Sequence, residues 1–206
     1  MSSTRVFQVV EEPMGNHYHA TTSDAFGEEQ HLFIENSPFS SKSLDLTIHD
    51  GQDIEGPILG VSKFHRFSSK CDVQMDGDHE WVPMVKKGLI SSGYSFQTPI
   101  QGENHTLSWK RTRSVGSGFS PYGNSKLVDE ETQEILAVFS SDPRSLVAGH
   151  LKIYGENGGP FDHLVLLTGM VFREKRRRQT TRTARAGRDD VFTLGAAIGG
   201  AGGGGS

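Results

Sequence analysis

Cysteine is nearly missing from this chain: its 206 residues include one, Cys71, so no intrachain disulfide can form. Missing too is an early apolar run with basic flanks, the mark of a secretory signal. Both absences point to a reducing compartment, cytosol or nucleus, where the sequon Asn104-His105-Thr106 would stay unmodified. Long apolar stretches are lacking as well. Leu164–Phe172 supplies nine uncharged, mostly apolar residues, with Asp162 and His163 blocking its extension. A spanning helix needs about 20, so a transmembrane reading fails.

Catalytic signatures are equally scarce. There is no G-x-S-x-G elbow, Walker loop or dinucleotide fingerprint, and "GENGGP" lacks the Lys-Ser/Thr of a phosphate loop. Nine histidines include one H-x-H pair, His17 and His19, with no further ligand cluster near it and no thiolate set. Asp76, Asp78 and Glu80 in "QMDGDHEW" lack the twelve-residue calcium loop with its terminal Glu and read as a turn. His163 reads as a hydrogen-bonding neighbour of a helix cap. The expectation is a non-enzymatic protein without metal or cofactor.

Charge is present but divided. Residues 1–172 carry 13 Lys+Arg against 22 Asp+Glu, a net −9, while 173–206 carry 8 against 3, a net +5. An acidic body with a basic arm calls for an anionic partner of the arm: lipid, nucleic acid or an import receptor. The plain alternative is a solvated tail.

Most segments up to residue 160 read as short strands. Arg5–Val10 opens the series, and "SLDLTIHDG" places Leu44, Leu46 and Ile48 on one face against Asp45 and Thr47. "ILGVSKFHRF", "CDVQMDG", "EWVPMVKKG", "GYSFQTPI" and "HTLSWKRT" follow. The paired runs of "SKLVDEETQEILAVFSS" and then "LVAGHLKIYG" complete it. Nine to twelve strands with turn residues between them fit an all-β barrel or sandwich. Beyond Arg178, "QTTRTARAGRDD" and "VFTLGAAIGGAGGGGS" are polar or glycine-rich and are expected to be disordered; the closing "GGGGS" also matches a synthetic linker.

The segment between these regions is apolar all round. At about 100° per residue, Leu164, Val165, Leu166, Leu167, Met170, Val171 and Phe172 surround a helix axis, leaving gaps only at Thr168 and Gly169. Such a helix has no wet side and must be enclosed by protein. Pro160 suits its first turn, Asp162 complements its N-terminal dipole, and Arg173, Lys175, Arg176, Arg177 and Arg178 complement its C-terminal end. Gly169, costly inside a helix by about 1 kcal/mol, marks a close approach of the wall. A central β-strand is the competing reading, because short apolar runs are ambiguous. If the segment is a helix, the strands must curl around it.

"LSWKRT", then "SKLVDEETQEILAVF", then "HLKIYG", followed by a hydrophobic segment and "EKRRR", resembles the tubby C-terminal-like superfamily. That superfamily includes the tubby domain, phospholipid scramblases and LURP-one-related proteins. The likeness is nearest to a fungal branch of small domains of unknown function and covers residues 93–178. It implies a mainly β fold, a closed antiparallel β-barrel of about twelve strands around a central C-terminal hydrophobic α-helix. On this reading the barrel domain spans 1–178, with the helix at 160–178, and a disordered tail spans 179–206. Tubby domains bind phosphoinositide headgroups through basic residues of the barrel wall. Here the wall offers Lys110, Arg111 and Arg113 in "SWKRTRS", although Arg111 shares the inward face of Leu107 and Trp109.

The function expected is therefore a cytoplasmic, membrane-peripheral module or scaffold that binds anionic phospholipid headgroups through the wall cluster and the arm. A nuclear or nucleic-acid-associated protein using the same arm is the alternative. A ligand-carrying barrel or small enzyme is a third, and needs an open interior. Thr180, two residues after a pair of arginines, sits in a context that basophilic kinases favour. A phosphate there would weaken any anionic contact of the arm.

Overall fold

The structure, a computed structural model, describes residues 4–13, 16–23, 27–37, 44–65, 68–88, 93–112, 124–141, 147–155 and 158–198, with helix side chains described as far as 180. Its strands are β1 (Thr4–Glu11), β2 (Tyr18–Ser23), β3 (Glu29–Asn36), β4 (Leu46–Asp50), β5 (Ile58–Phe64) and β6 (Cys71–Met75). They continue as β7 (Val82–Lys87), β8 (Gly93–Ile100), β9 (Glu103–Thr112), β10 (Asn124–Asp129), β11 (Ile135–Ser140) and β12 (Val147–Tyr154), followed by the helix α1 (Gly159–Ile198). Each strand pairs antiparallel with the next, and β1 pairs with β12 to close the barrel. Closure leaves no edge strand exposed.

Period-2 alternation decides which side chains line the interior. Phe7 and Val9 of β1, Leu32 and Ile34 of β3, Tyr94 and Phe96 of β8, and Leu107 and Trp109 of β9 are each 2% exposed or less. The barrel encloses the first part of α1. Helix residues Val165, Leu166, Leu167, Met170, Val171 and Phe172 are 0–1% exposed, and Leu164 is 7% exposed. Contacts reach the helix from opposite parts of the ring. Arg5 of β1 bonds Asp162, and Gln30 of β3 bonds His163. Trp109 of β9 bonds Thr168, and Tyr94 of β8 packs edge-on to Phe172. An all-apolar helix surface is thereby removed from water on every face.

Two residues that interrupt the apolar sequence of α1 have specific partners. Thr168 donates its hydroxyl to the Leu164 carbonyl oxygen at 2.8 Å and accepts the Trp109 indole N–H at 3.0 Å, so its buried oxygen is satisfied. A Cβ on Gly169 would lie 3.0 Å from Trp109 Cζ2. The wall does approach closely there.

At the mouth where α1 enters, the Arg5 guanidinium donates to Asp162 at 2.7 Å. Burial pushes the Asp162 carboxyl up, against the opposing pull of Arg5. Removing Arg5 strands a buried carboxylate. Arg5→Ala is expected to cost about 2 kcal/mol in urea denaturation at neutral pH, less than a fully buried pair because the arginine is partly exposed. With its folded-state value raised, Asp162 takes up a proton readily as the pH falls. The deficit of the variant then shrinks toward acid.

Two expectations need correction. The helix does not stop at 178: it continues to Ile198, so residues 179–198, expected to be disordered, are helical. From Arg173 to Ala186 the chain holds no glycine or proline, and six of its fourteen residues are arginine, a good helix former. The remainder of the expected tail, 199–206, lies outside the described residues. By compactness the chain divides into Met1–Phe172, which holds the barrel and the enclosed helix segment, and Arg173–Ser206. Among the described residues no helix is long and apolar enough to cross a membrane.

Candidate functional site

Lys110 projects outward from β9, because its neighbour Trp109 faces the lumen. The register pairs Lys110 with Lys126 on β10, which pairs with Val138 on β11, which pairs with Lys152 on β12. On the other side, Lys87 of β7 pairs with Gly93 of β8, whose position abuts Lys110: a Cβ on Gly93 would lie 3.9 Å from Lys110 Cγ. Lys87, Lys110, Lys126 and Lys152 therefore form one transverse row on the outer wall. With strands spaced about 4.8 Å apart, the row crosses roughly 24 Å from β7 to β12.

Alternation explains why all four face out. Leu127 flanks Lys126, and Leu151 and Ile153 flank Lys152, with exposures of 0%, 0% and 1%. Glycine at 93 leaves the row uncovered at β8. Val138, only 4% exposed although it faces outward, sits between Lys126 and Lys152, whose methylene stems can cover it.

One carboxylate moderates the row. Glu130, in the turn after β10, pairs with Lys110 at 2.8 Å and also with Lys87. These two ammonium groups hold the Glu130 carboxyl at about 2, down from 4.5. A depressed value means the bridge is intact above pH 4.5 and is lost only as the pH falls toward 2. Among the described residues neither Lys126 nor Lys152 has an ion-pair partner.

The residues expected from sequence fall into separate places. Lys110 belongs to the row, and Arg111, which has the same strand parity as Leu107 and Trp109, is exposed. Arg113 lies outside the described residues. In the basic run, Arg173 and Lys175, expected to contact an anionic partner, are buried at 7% and 8% exposure. Glu174, 1% exposed, lies among them and pairs with Arg177 one helical turn on. Arg176, Arg177 and Arg178 are half-buried. Thr180 is exposed and donates its hydroxyl to the Arg176 carbonyl oxygen at 3.1 Å.

Comparison with known proteins adds nothing to this geometry. No protein family, curated protein or solved structure matches the chain. The site is therefore read from its own residues.

Among the described residues one other constellation has convergent ligand atoms: His105, Asp129 and Glu131, all within 4.8 Å of one another. Asp129 is already engaged. It accepts from the Glu131 backbone N–H at 2.9 Å and pairs with His105 Nδ1 at 2.8 Å. Its carboxyl is held below the usual range by those bonds, against the opposing effect of burial. This is the closure of the β10–β11 hairpin by an aspartate turn.

Proposed function

We propose that the protein is a tubby-like barrel that docks on anionic phospholipid headgroups through the lysine row of its wall, with Arg176, Arg177 and Arg178 adding electrostatic attraction. The observation that carries this reading is the direct pairing of Lys110 with Lys126 across β9 and β10. Like charges opposite one another in a sheet are destabilising, and the row adds two more lysines at the same height. Such an arrangement is understandable where an anion completes it. The enclosed helix supports the kinship read from "LSWKRT", "SKLVDEETQEILAVF" and "HLKIYG", and that kinship makes the wall the place to look.

Two further features favour lipid over the alternatives. No aromatic side chain lies in the row among the described residues, so single-stranded nucleic acid has no stacking platform there. The helix occupies the middle of the lumen, which leaves a ligand-carrying barrel only the space at the mouth where the helix enters. The nuclear or nucleic-acid reading rests on the arm alone.

The test is cosedimentation with phosphatidylserine vesicles across a salt series. Binding should weaken steeply with salt, since the screening length falls to about 3 Å at 1 M. Glu130→Gln releases Lys87 and Lys110 and adds one net positive charge to the row. At about 1 kcal/mol per charge near the membrane surface, it should bind roughly fivefold more tightly at low salt. Unchanged binding by this variant would separate the row from membrane attachment.

A further inference from the structure

Where α1 enters the barrel, the lumen is not filled to the rim. A cavity of about 520 Å³ opens there, within the size range of small-molecule sites. Its walls are apolar: Val73, Met75, Val82 and Pro99 from the strands, Phe161 and Leu164 from the helix. Its rim is acidic, with Asp76, Asp78 and Glu80 supplied by the turn between β6 and β7. His79 stands among them on the rim; among the described residues no lysine or arginine lines the cavity, and none pairs with these three carboxylates. Thr98 points in from β8 on the same face as Tyr94 and Phe96. It is 6% exposed and lines the cavity, yet its hydroxyl has no hydrogen-bond partner among the described residues. That hydroxyl is free to accept from a group that enters the cavity.

We infer that this cavity binds a small organic cation, a primary ammonium group on an aliphatic body. The three rim carboxylates and the Thr98 hydroxyl are acceptors for an ammonium, and the apolar walls take its chain. The N-terminus of α1 also faces this mouth and favours an anion, but its partial charge is only about +0.5, against three full negative charges. Arg5, at the same mouth, is spent on Asp162. A divalent metal ion fits less well. Hard cations need converging oxygens, and the convergent trio among the described residues is His105, Asp129 and Glu131, in a different place.

Titration calorimetry with hexylamine, hexanol and hexanoate on the full chain tests the assignment. Hexylamine should saturate one site, while hexanol and hexanoate, of equal length, bind at least about tenfold more weakly. Replacing the rim together (Asp76→Asn, Asp78→Asn, Glu80→Gln) should abolish the preference for hexylamine over hexanol. Thr98→Val should narrow the preference for hexylamine over hexyltrimethylammonium, which has no N–H to donate. Hexanoate binding as tightly as hexylamine, undiminished affinity in the rim variant, or no saturation at millimolar concentration would each overturn the cation site. An unchanged amine preference in Thr98→Val would overturn the assignment of a primary ammonium.

Discussion

Gly169→Val should unfold at markedly lower denaturant, losing at least about 3 kcal/mol, although helix propensity alone favours any such replacement of glycine. The reason is Trp109. A Cβ at 169 would lie 3.0 Å from Cζ2 and 3.3 Å from Cη2 of the indole. The indole has little freedom to retreat, because its N–H is donated to Thr168 at 3.0 Å and its ring stacks on Phe172 with centroids 6.2 Å apart. Alanine adds one methyl group and gains about 1 kcal/mol of helix propensity against overpacking of roughly 1–3 kcal/mol, so a net loss is expected. Valine adds two further methyl groups and a stiff χ1 in the same space, with nothing to offset them. Urea denaturation of both variants measures the two losses. If Gly169→Ala stabilises the protein by its full propensity gain, the indole has room to move and the wall does not grip the helix at this position.

The same packing accounts for what could be read in advance. Enclosure of α1 follows from Leu164, Val165, Leu166, Leu167, Met170, Val171 and Phe172 alone, since no rotation of such a helix offers water a polar face. Gly169 signalled the close wall because glycine inside a helix needs a compensating reason. Strands β2 and β3 left a weaker trace. Ala20 and Thr22 on the inward face of β2 are small or polar, and Phe33 is buried on the outward side of β3 at 6% exposure, which breaks the alternation.

The lysine row was legible only in part. Lys110 stood out beside Arg111, but Lys87, Lys126 and Lys152 are single lysines in separate strands. Their alignment depends on register, and a one-residue slip of any strand would turn its lysine to the other face. Charge density along the chain drew attention instead to the run from Arg173 to Arg178. There burial of Arg173, Glu174 and Lys175, together with the Glu174–Arg177 pair, leaves fewer cations facing outward than the sequence suggests.

That difference sets the contest between row and arm. Neutralising the row (Lys87→Gln, Lys110→Gln, Lys126→Gln, Lys152→Gln) removes four positive charges, one of them already offset by Glu130. Three effective charges at about 1 kcal/mol each correspond to roughly a hundredfold loss of affinity for phosphatidylserine vesicles at low salt. All four changes leave the core untouched; relief of the Lys110–Lys126 repulsion is set against the loss of both surface pairs of Glu130, so the variant should unfold close to the parent. Arg176→Ala, Arg177→Ala and Arg178→Ala together should cost less, about thirtyfold for two effective charges, since Arg177 is already paired with Glu174. The salt dependence of binding should flatten in the row variant and persist in the arm variant, because the steeper slope belongs to the larger set of released counterions. Vesicle binding by the row variant equal to that of the parent would end the wall proposal. Loss confined to the arm variant would move the attachment site to the C-terminal helix and favour the reading in which that helix meets its anionic partner without the barrel.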